Sequence, residues 1–293
     1  MAVILSCILL GLVVLAQGLR LKDGKNEGNW FPTSDNSAKR DFELFALKYS
    51  AVWCSVFGVV IVMQLYEQFT EYHYMGLCVT LALPFLLQPI LFPFEGEKNL
   101  SLANRYSFKA NVWIAIFSFI GNYWYTHYFY SVLKAKYTMP SHRLNNVPIA
   151  LYFATHFYFM LYHTASNLFL RKIETRYEAG SARTVFFWAV VLAFSYFTAF
   201  METLSISSFP DYSFEDRYMA YTVGSCFYAL YFIVSYPVFY RFSLSNIKIG
   251  GRTKQPAHTL YQTIMEASGA SMIVLCLLDF GRLWLNIPLT IPG

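Results

Sequence analysis

Charge is what this chain has least of. Asp, Glu, Lys and Arg make up 13% of its 293 residues, where a soluble domain carries about 25%. With so few charges to wet a surface, a water-soluble globule is excluded. Cysteine is scarce as well. Cys7, Cys54, Cys78, Cys226 and Cys276 all fall in apolar stretches and no two form a C-x-x-C pair. That argues against a disulfide framework or a metal site and leaves the five as small buried hydrophobes. The net charge of +5 is spread over the loops. With no basic cluster in a nucleic-acid-binding pattern, it does not indicate nucleic-acid binding. Alternating ten-residue segments are missing, which excludes a membrane β-barrel, and there is neither an internal repeat nor a low-complexity tract.

What fills the chain is apolar surface: 56% hydrophobic and 19% aromatic residues, gathered in runs close to 20 residues long. Runs of that length cross the hydrocarbon core of a bilayer as helices. The expected fold is therefore all-α, a multi-pass transmembrane bundle of about seven spans. We place them near 45–65, 75–92, 110–133, 149–170, 184–205, 218–240 and 263–285. Pro84 and Pro89 fall inside the second, which lipid tolerates where neighbours satisfy the freed carbonyls. Residues 1–18 are apolar, lack a basic leader and carry Ala16-Gln17-Gly18 as a small-residue cleavage site, so they fit either a signal peptide or a retained anchor helix. Residues 19–40 read as a polar linker, giving an N-terminal segment 1–40 and a membrane-embedded domain 41–293.

Orientation follows from Lys and Arg. Lys39, Arg40, Lys48, Lys98, Arg105, Lys109, Arg171, Lys172, Arg176, Arg183, Arg241, Lys248, Arg252 and Lys254 share one side, which is assigned to the cytosol. Lys134, Lys136, Arg143, Arg217 and Arg282 fall on the other. Glu67, Glu71, His127, His156, Glu202 and Asp279 then lie in the lumenal half, from five different helices. That coincidence reads as one polar pocket, because a charge in mid-bilayer costs about 2.5–3.5 kcal/mol on insertion scales and normally faces a protein interior.

Within the spans, Ser195, Thr198, Glu202 and Ser205 recur at helical spacing and share one face. A carboxyl on such a face is withdrawn from water, the condition under which it keeps its proton and can serve as an acid. His156, His163 and Asn167 form a second stripe, suited to proton transfer or to interhelical hydrogen bonds. Asn122 shares a face with Asn111 and Ser118, while His127 lies about 140° away around the helix, near Tyr123. The aromatic run through Tyr123 and Trp124 fits an interfacial belt or a wall that stabilises a cation. Glu67 and Glu71, one helical turn apart, fit interfacial charges or pocket groups. Asp279 and Arg282, three residues apart, fit a local ion pair. His156 and His163, seven residues apart, could share a metal by spacing alone, but no third ligand accompanies them, so no metal is expected.

The stretches LYEQFTEY, KANVWIAIFSFIGNYWYTHYF, NNVP, LYHTASN, METLSISSFP, CFYALYFIVSYPVF and LLDFGRLWL resemble, in the same order, the cycloeucalenol cycloisomerase family. The likeness spans residues 42–285. It implies an isomerase of sterol biosynthesis in the endoplasmic reticulum membrane. Such an enzyme opens the 9β,19-cyclopropane ring of a cyclopropyl sterol, cycloeucalenol to obtusifoliol, and needs no cofactor. For that chemistry Glu202 is the candidate proton donor, and His127 and His156 are candidate relays or bases. Asn122, Tyr123, Trp124, His163, Asn167, Glu67, Glu71 and Asp279 are candidate substrate-binding groups. Expected partners are the sterol and membrane lipid. Residues 1–29, His73, His142 and the connector with Gly250-Gly251 depart from the family pattern. The alternatives are another sterol double-bond isomerase, a proton-coupled membrane transporter and a sterol-binding protein. A transporter would show repeats or broken helices.

Overall fold

A computed structural model describes residues 1–22, 28–207, 209–244 and 258–289. The Gly250-Gly251 connector, with Lys248, Arg252 and Lys254, lies outside the described residues. The structure is 77% helical. In chain order the elements are α1 (Ala2–Ala16), α2 (Ser37–Val62), α3 (Glu71–Leu91), α4 (Tyr106–Ile120) and α5 (Thr126–Val132). They continue with strands β1 (Lys136–Tyr137), β2 (Arg143–Leu144) and β3 (Val147–Pro148), then α6 (Ile149–Arg176) and α7 (Ser181–Ile206). Strand β4 (Tyr212–Ser213), α8 (Arg217–Met219), α9 (Ser225–Leu244) and α10 (Leu260–Trp284) complete the chain. Two π-helical turns, Gly121–Tyr125 and Ala220–Gly224, join α4 to α5 and α8 to α9.

Among the described residues, five helical segments are long and apolar enough to cross a membrane: Ser34–Val62, Glu71–Leu91, Ser181–Ile206, Arg217–Phe242 and Leu260–Trp284. The α4–α5 unit and α6 coincide with the other two expected spans but do not reach that composition. The physical reason is their place in the bundle. Helix α6 packs against α2, α3, α4, α7 and α9, and His156, His163, Asn167 and Arg171 are all buried along it. A helix surrounded by helices need not present an apolar face to lipid.

Local chemistry sets the boundaries. Gln64, with φ of 54°, ends α2 earlier than expected. Glu67 therefore sits in a short 3-10 turn, while Glu71 opens α3. The two do not share a helix, and the reading of them as a one-turn pair is corrected. The start of α3 is a capping box in which His73 Nδ1 accepts from the Thr70 backbone N–H at 3.1 Å. Asn145 and Asn146, both at positive φ, form the two-residue turn that hairpins of this kind require, pairing β2 with β3. Strand β1 pairs with β4 antiparallel and closes one end of the bundle.

At the opposite end a buried charge cluster joins α2 to α6. Arg171 donates to both carboxylate oxygens of Glu43 at 2.8 and 2.7 Å and to the Trp30 carbonyl at 2.6 Å. Lys39 Nζ lies 3.7 Å from Glu43, and Asn167 donates to Glu43 at 3.3 Å. The supposed linker is docked rather than loose. Leu21 bridges Tyr177, Lys22 Nζ donates to the Glu174 carbonyl, and Asn29 N–H donates to Thr175. Helix α1 runs along the outside of α7 and has no buried residue. Of the cysteines only Cys78 is buried. Cys7, Cys54, Cys226 and Cys276 lie on the outer surface, where an apolar side chain costs nothing if the medium is lipid, so the expectation of five buried cysteines is corrected.

Removing one partner from a buried ion pair strands the other charge and costs about 3–5 kcal/mol. Glu43→Ala is therefore expected to lower unfolding stability in detergent by that amount. Lys98→Ala, at an exposed pair with Glu95, should change it by no more than about 0.5 kcal/mol. Denaturation midpoints of the two variants check the contrast.

Candidate active site

The candidate site is a small cavity at the β1–β4 end of the bundle. Its walls come from five places. The α4–α5 unit supplies Ser118, Gly121, Asn122, Thr126, Phe129 and Leu133, and α6 supplies Thr155 and Phe159. Helix α7 supplies Glu202, Thr203 and Ile206, and α9 supplies Tyr228 and Tyr231. The cap adds Tyr137, Tyr212 and Phe214. The enclosed volume is about 70 Å³, room for a few water molecules and too little for a fused ring system.

Glu202 is the only carboxyl among the lining residues. The phenols of Tyr162 and Tyr228 stand near its carboxyl, and those of Tyr158, Tyr231 and Tyr236 belong to its electrostatic surroundings. Its Oε2 is shielded from solvent and has no hydrogen-bond partner. A buried polar atom left unpaired costs about 1–3 kcal/mol. The rest of its stripe turns to α9 as well. Thr198 Oγ1 accepts from the Tyr236 hydroxyl at 3.0 Å, and Ser195 is fully buried. Ser205 lies at the exposed edge, donating to the Glu202 carbonyl at 2.8 Å.

Asn122 stands across the cavity. Its Nδ2 donates to the Ser118 carbonyl at 2.9 Å and to Thr155 Oγ1 at 2.6 Å, fixing α4 against α6. The π turn places it there, and Asn145 Nδ2 supports that turn by donating to the Tyr123 carbonyl at 2.5 Å. Above the cavity, Tyr137 and Tyr212 stack at 4.3 Å across the β1–β4 pair. Burial first, and then the adjacent Tyr212, hold the Tyr137 phenol well above its ordinary range. Burial likewise pushes Tyr212 up. Both remain neutral hydroxyls. Tyr74 donates to Asp211 at 3.2 Å and ties the cap to α3.

The remaining candidates lie elsewhere. His127 is buried, but neither ring nitrogen completes a hydrogen bond; its ring meets Tyr130 edge-on at 5.5 Å. His156 is buried against α4, with Nε2 2.9 Å from Asn111 Oδ1. His163 is satisfied at both nitrogens, by the Phe159 carbonyl at 2.8 Å and Ser235 Oγ at 2.9 Å. Asn167 belongs to the charge cluster at the far end. Tyr123 is half-buried and stacks on Phe119, and Trp124 is 44% exposed on the outer surface. Glu67 is exposed and Glu71 is half-buried at the start of α3. Asp279 pairs with Arg282 at 2.8 Å. The expected single pocket of acids and imidazoles therefore does not form, because residues at one depth point in different directions around their helices. Glu202 and Asn122 are brought together; the others are not. Sequence reasoning missed Tyr162, Tyr228 and Tyr231. The available signal was Tyr228 and Tyr231 at spacing three, facing the carboxyl stripe of α7. Among the described residues, no three His, Cys, Asp or Glu side chains are grouped to hold a metal.

The chain is 41% identical over 260 residues to cycloeucalenol cycloisomerase of Arabidopsis thaliana, an overlap of 88% of this chain and 90% of that protein. No protein-family model and no solved structure matches it.

Asn145→Ala should free the Tyr123 carbonyl, cost about 1–3 kcal/mol and speed amide exchange across 121–126. Hydrogen-exchange mass spectrometry checks this, and unchanged protection would separate the hairpin from the π turn.

Proposed function

The chain belongs to the cycloeucalenol cycloisomerase family, and from this we infer that it is a sterol isomerase opening the 9β,19-cyclopropane ring, with Glu202 as its acid. The observation that supports Glu202 is the unpaired, water-shielded carboxyl oxygen on the cavity wall.

The carboxylic acid gives its proton to C19. The electrons of the C9–C19 bond form the new C19–H bond, and positive charge develops at C9. The faces of Phe129, Phe159 and Tyr231 line the cavity, and desolvated cation–π attraction is worth about 2 kcal/mol or more. Loss of the C8 proton then supplies the electrons of the C8=C9 double bond. The reaction consumes no net proton, and the cavity holds one carboxyl. Tyrosine hydroxyls, with an ordinary pKa of about 10, are poor acceptors at neutral pH. Glu202 therefore takes the C8 proton back and is ready for the next turnover. Tyr162 and Tyr228 stabilise the carboxylate between the two transfers and let it go when it reprotonates.

The cavity of about 70 Å³ has to open for this substrate. The cap is its least anchored wall: β1 and β4 are joined over two residue pairs. Sterol binding displaces the Tyr137–Tyr212 stack and Phe214, and the rings take up the sterol's apolar surface in place of one another.

We place the protein in the endoplasmic reticulum membrane as a seven-span bundle, with the cavity on the lumenal side. What supports seven is length. Helix α6 has 28 residues, about 42 Å at 1.5 Å per residue, against a hydrocarbon core of roughly 30 Å. The α4–α5 unit runs from Tyr106 to Val132.

Glu202→Gln keeps the shape and removes the proton. It should bind sterol and lose about 10²–10⁴ in turnover, the usual worth of a general acid. Tyr228→Phe should lose about tenfold or more, the low end of the roughly 1.5–3 kcal/mol of one hydrogen bond to a charged group. Conversion of a 9,19-cyclopropyl sterol by the purified protein measures both, and near-normal turnover of Glu202→Gln removes it from the donor role.

A further inference from the structure

A second space, larger than the first, lies between α1 and the outer faces of α7 and α9. It is an open groove of about 570 Å³, where sites for drug-sized ligands run roughly 300–1,000 Å³. One side is the row Ile4, Cys7, Ile8, Gly11, Leu12 and Leu15 of α1, a single helical face. That face points at α7 yet leaves no residue of α1 buried. Ile4, Leu5 and Ile8 pack against the core, and the helix is also held beyond its two ends. Met1 Sδ lies 4.0 Å from the Tyr196 hydroxyl, and Leu21 bridges Tyr177. A helix so fastened, half-buried along one face over an apolar groove, acts as a strap.

The groove is almost wholly apolar, with Ala189, Leu192, Leu12 and Leu15 as hydrocarbon. Its two hydroxyls, Tyr196 near Met1 and Thr222, already donate to the Tyr221 and Tyr218 carbonyls, which leaves their oxygens as acceptors for a hydroxyl donor. The ligand class with that pattern is a long rigid apolar body with one hydroxyl at its tip. Resting on the functional reading above, we propose that this hollow binds the sterol substrate before reaction, with its 3β-hydroxyl at Tyr196 and Thr222. Two features of the structure support it. The reaction cavity is too small to be where a sterol first docks. And the two spaces share their partition: Tyr196 and Cys226 face the hollow while Glu202 and Tyr228, on the same two helices, face the cavity. The Ala220–Gly224 π turn at the head of α9 contributes Thr222 and Val223 to the hollow. It is a weaker helical element at the place where the partition must yield.

The test uses the full-length protein in nanodiscs and a diazirine-bearing sterol with a free 3β-hydroxyl, labelled sites being mapped by peptide mass spectrometry. Label is expected on 4–15 and 189–196, competed by a cyclopropyl sterol and not by phosphatidylcholine. A Cβ at Gly11 meets no atom within 4 Å, so Gly11→Trp can fill the hollow without a clash. It should reduce that label about tenfold and raise KM about tenfold, a change of 1.4 kcal/mol, with kcat within about twofold. Ala193→Phe fills the same space from α7 and should act alike if Gly11→Trp fails to fold. Equal competition by phosphatidylcholine, label confined to other helices, or unchanged label and KM in both variants overturns the proposal. Glu202→Gln should be labelled as the unmodified protein is. Retained label with no conversion of cyclopropyl sterol by the unmodified protein would overturn the functional reading and leave the sterol site standing.

Discussion

The Glu43–Arg171 pair is the fixed point of this bundle. Both side chains are 1% exposed, so each is tolerable only because the other is there. The bidentate geometry, with two N–H donors on two oxygens, sets the register of α6 against α2 to within a fraction of a helical turn. The same guanidinium reaches Trp30 and so fastens the segment that follows α1. From that end α6 runs through the bundle and is tied again by His163 to α9, His156 to α4 and Thr155 to Asn122. Each tie is a polar group that could not be left unpaired so far from water. The register set at one end is thus carried to the other, where Thr155, Phe159 and Tyr162 have to meet α7 at Glu202.

At that other end polar pairing is incomplete at His127, whose two ring nitrogens are unpaired, and at Glu202; of the two, Glu202 lines the cavity. The histidines of α6 are satisfied, Asn122 is satisfied, and Thr198 has its phenol. Glu202 has the Tyr162 and Tyr228 phenols nearby and an oxygen, Oε2, with no partner. A structural carboxyl tying two helices would have both oxygens engaged. A carboxyl that must carry a proton to carbon needs one oxygen free, because carbon offers no lone pair and the proton must lie on the reacting side. In the proposed reaction the surrounding rings serve the same step twice: they keep water from capturing the cation, and their π faces lower its energy.

Much of this was legible in the sequence, and the part that was not has a common cause. Run length located the helices of the bundle, and spacing placed Ser195, Thr198 and Glu202 on one face. Depth in the membrane, read from span position, did not tell direction around a helix, so Glu67, His127 and Asp279 were grouped with Glu202 although their side chains diverge. Aromatic residues were ambiguous for a related reason. A tyrosine at an interface and a tyrosine around a buried carboxyl have the same neighbours in sequence; Trp124 turned out to be exposed and Tyr231 to line the cavity. The 3-10 and π turns escaped notice because no residue type marks them, and they decide that Glu67 leaves the helix and Asn122 faces Thr155.

The two unequal spaces on either side of α7 and α9 fit one physical requirement. A carboxyl can stay protonated and strong enough to attack a hydrocarbon ring only where water is excluded, and an open sterol-sized hole beside it would flood or fill with lipid tails. A site that stays collapsed to about 70 Å³ until substrate forces it open avoids both. Such a site must then be loaded from somewhere, since a rigid sterol does not find a closed seam between helices by diffusion alone. An apolar compartment of about 570 Å³ on the lipid-facing side of the same two helices can hold the molecule aligned while the partition opens. On the proposed reading the half-buried fit of α1, with Ile4, Leu5 and Ile8 against the core, is what its position requires: a helix pressed more tightly onto α7 would close the apolar groove between them.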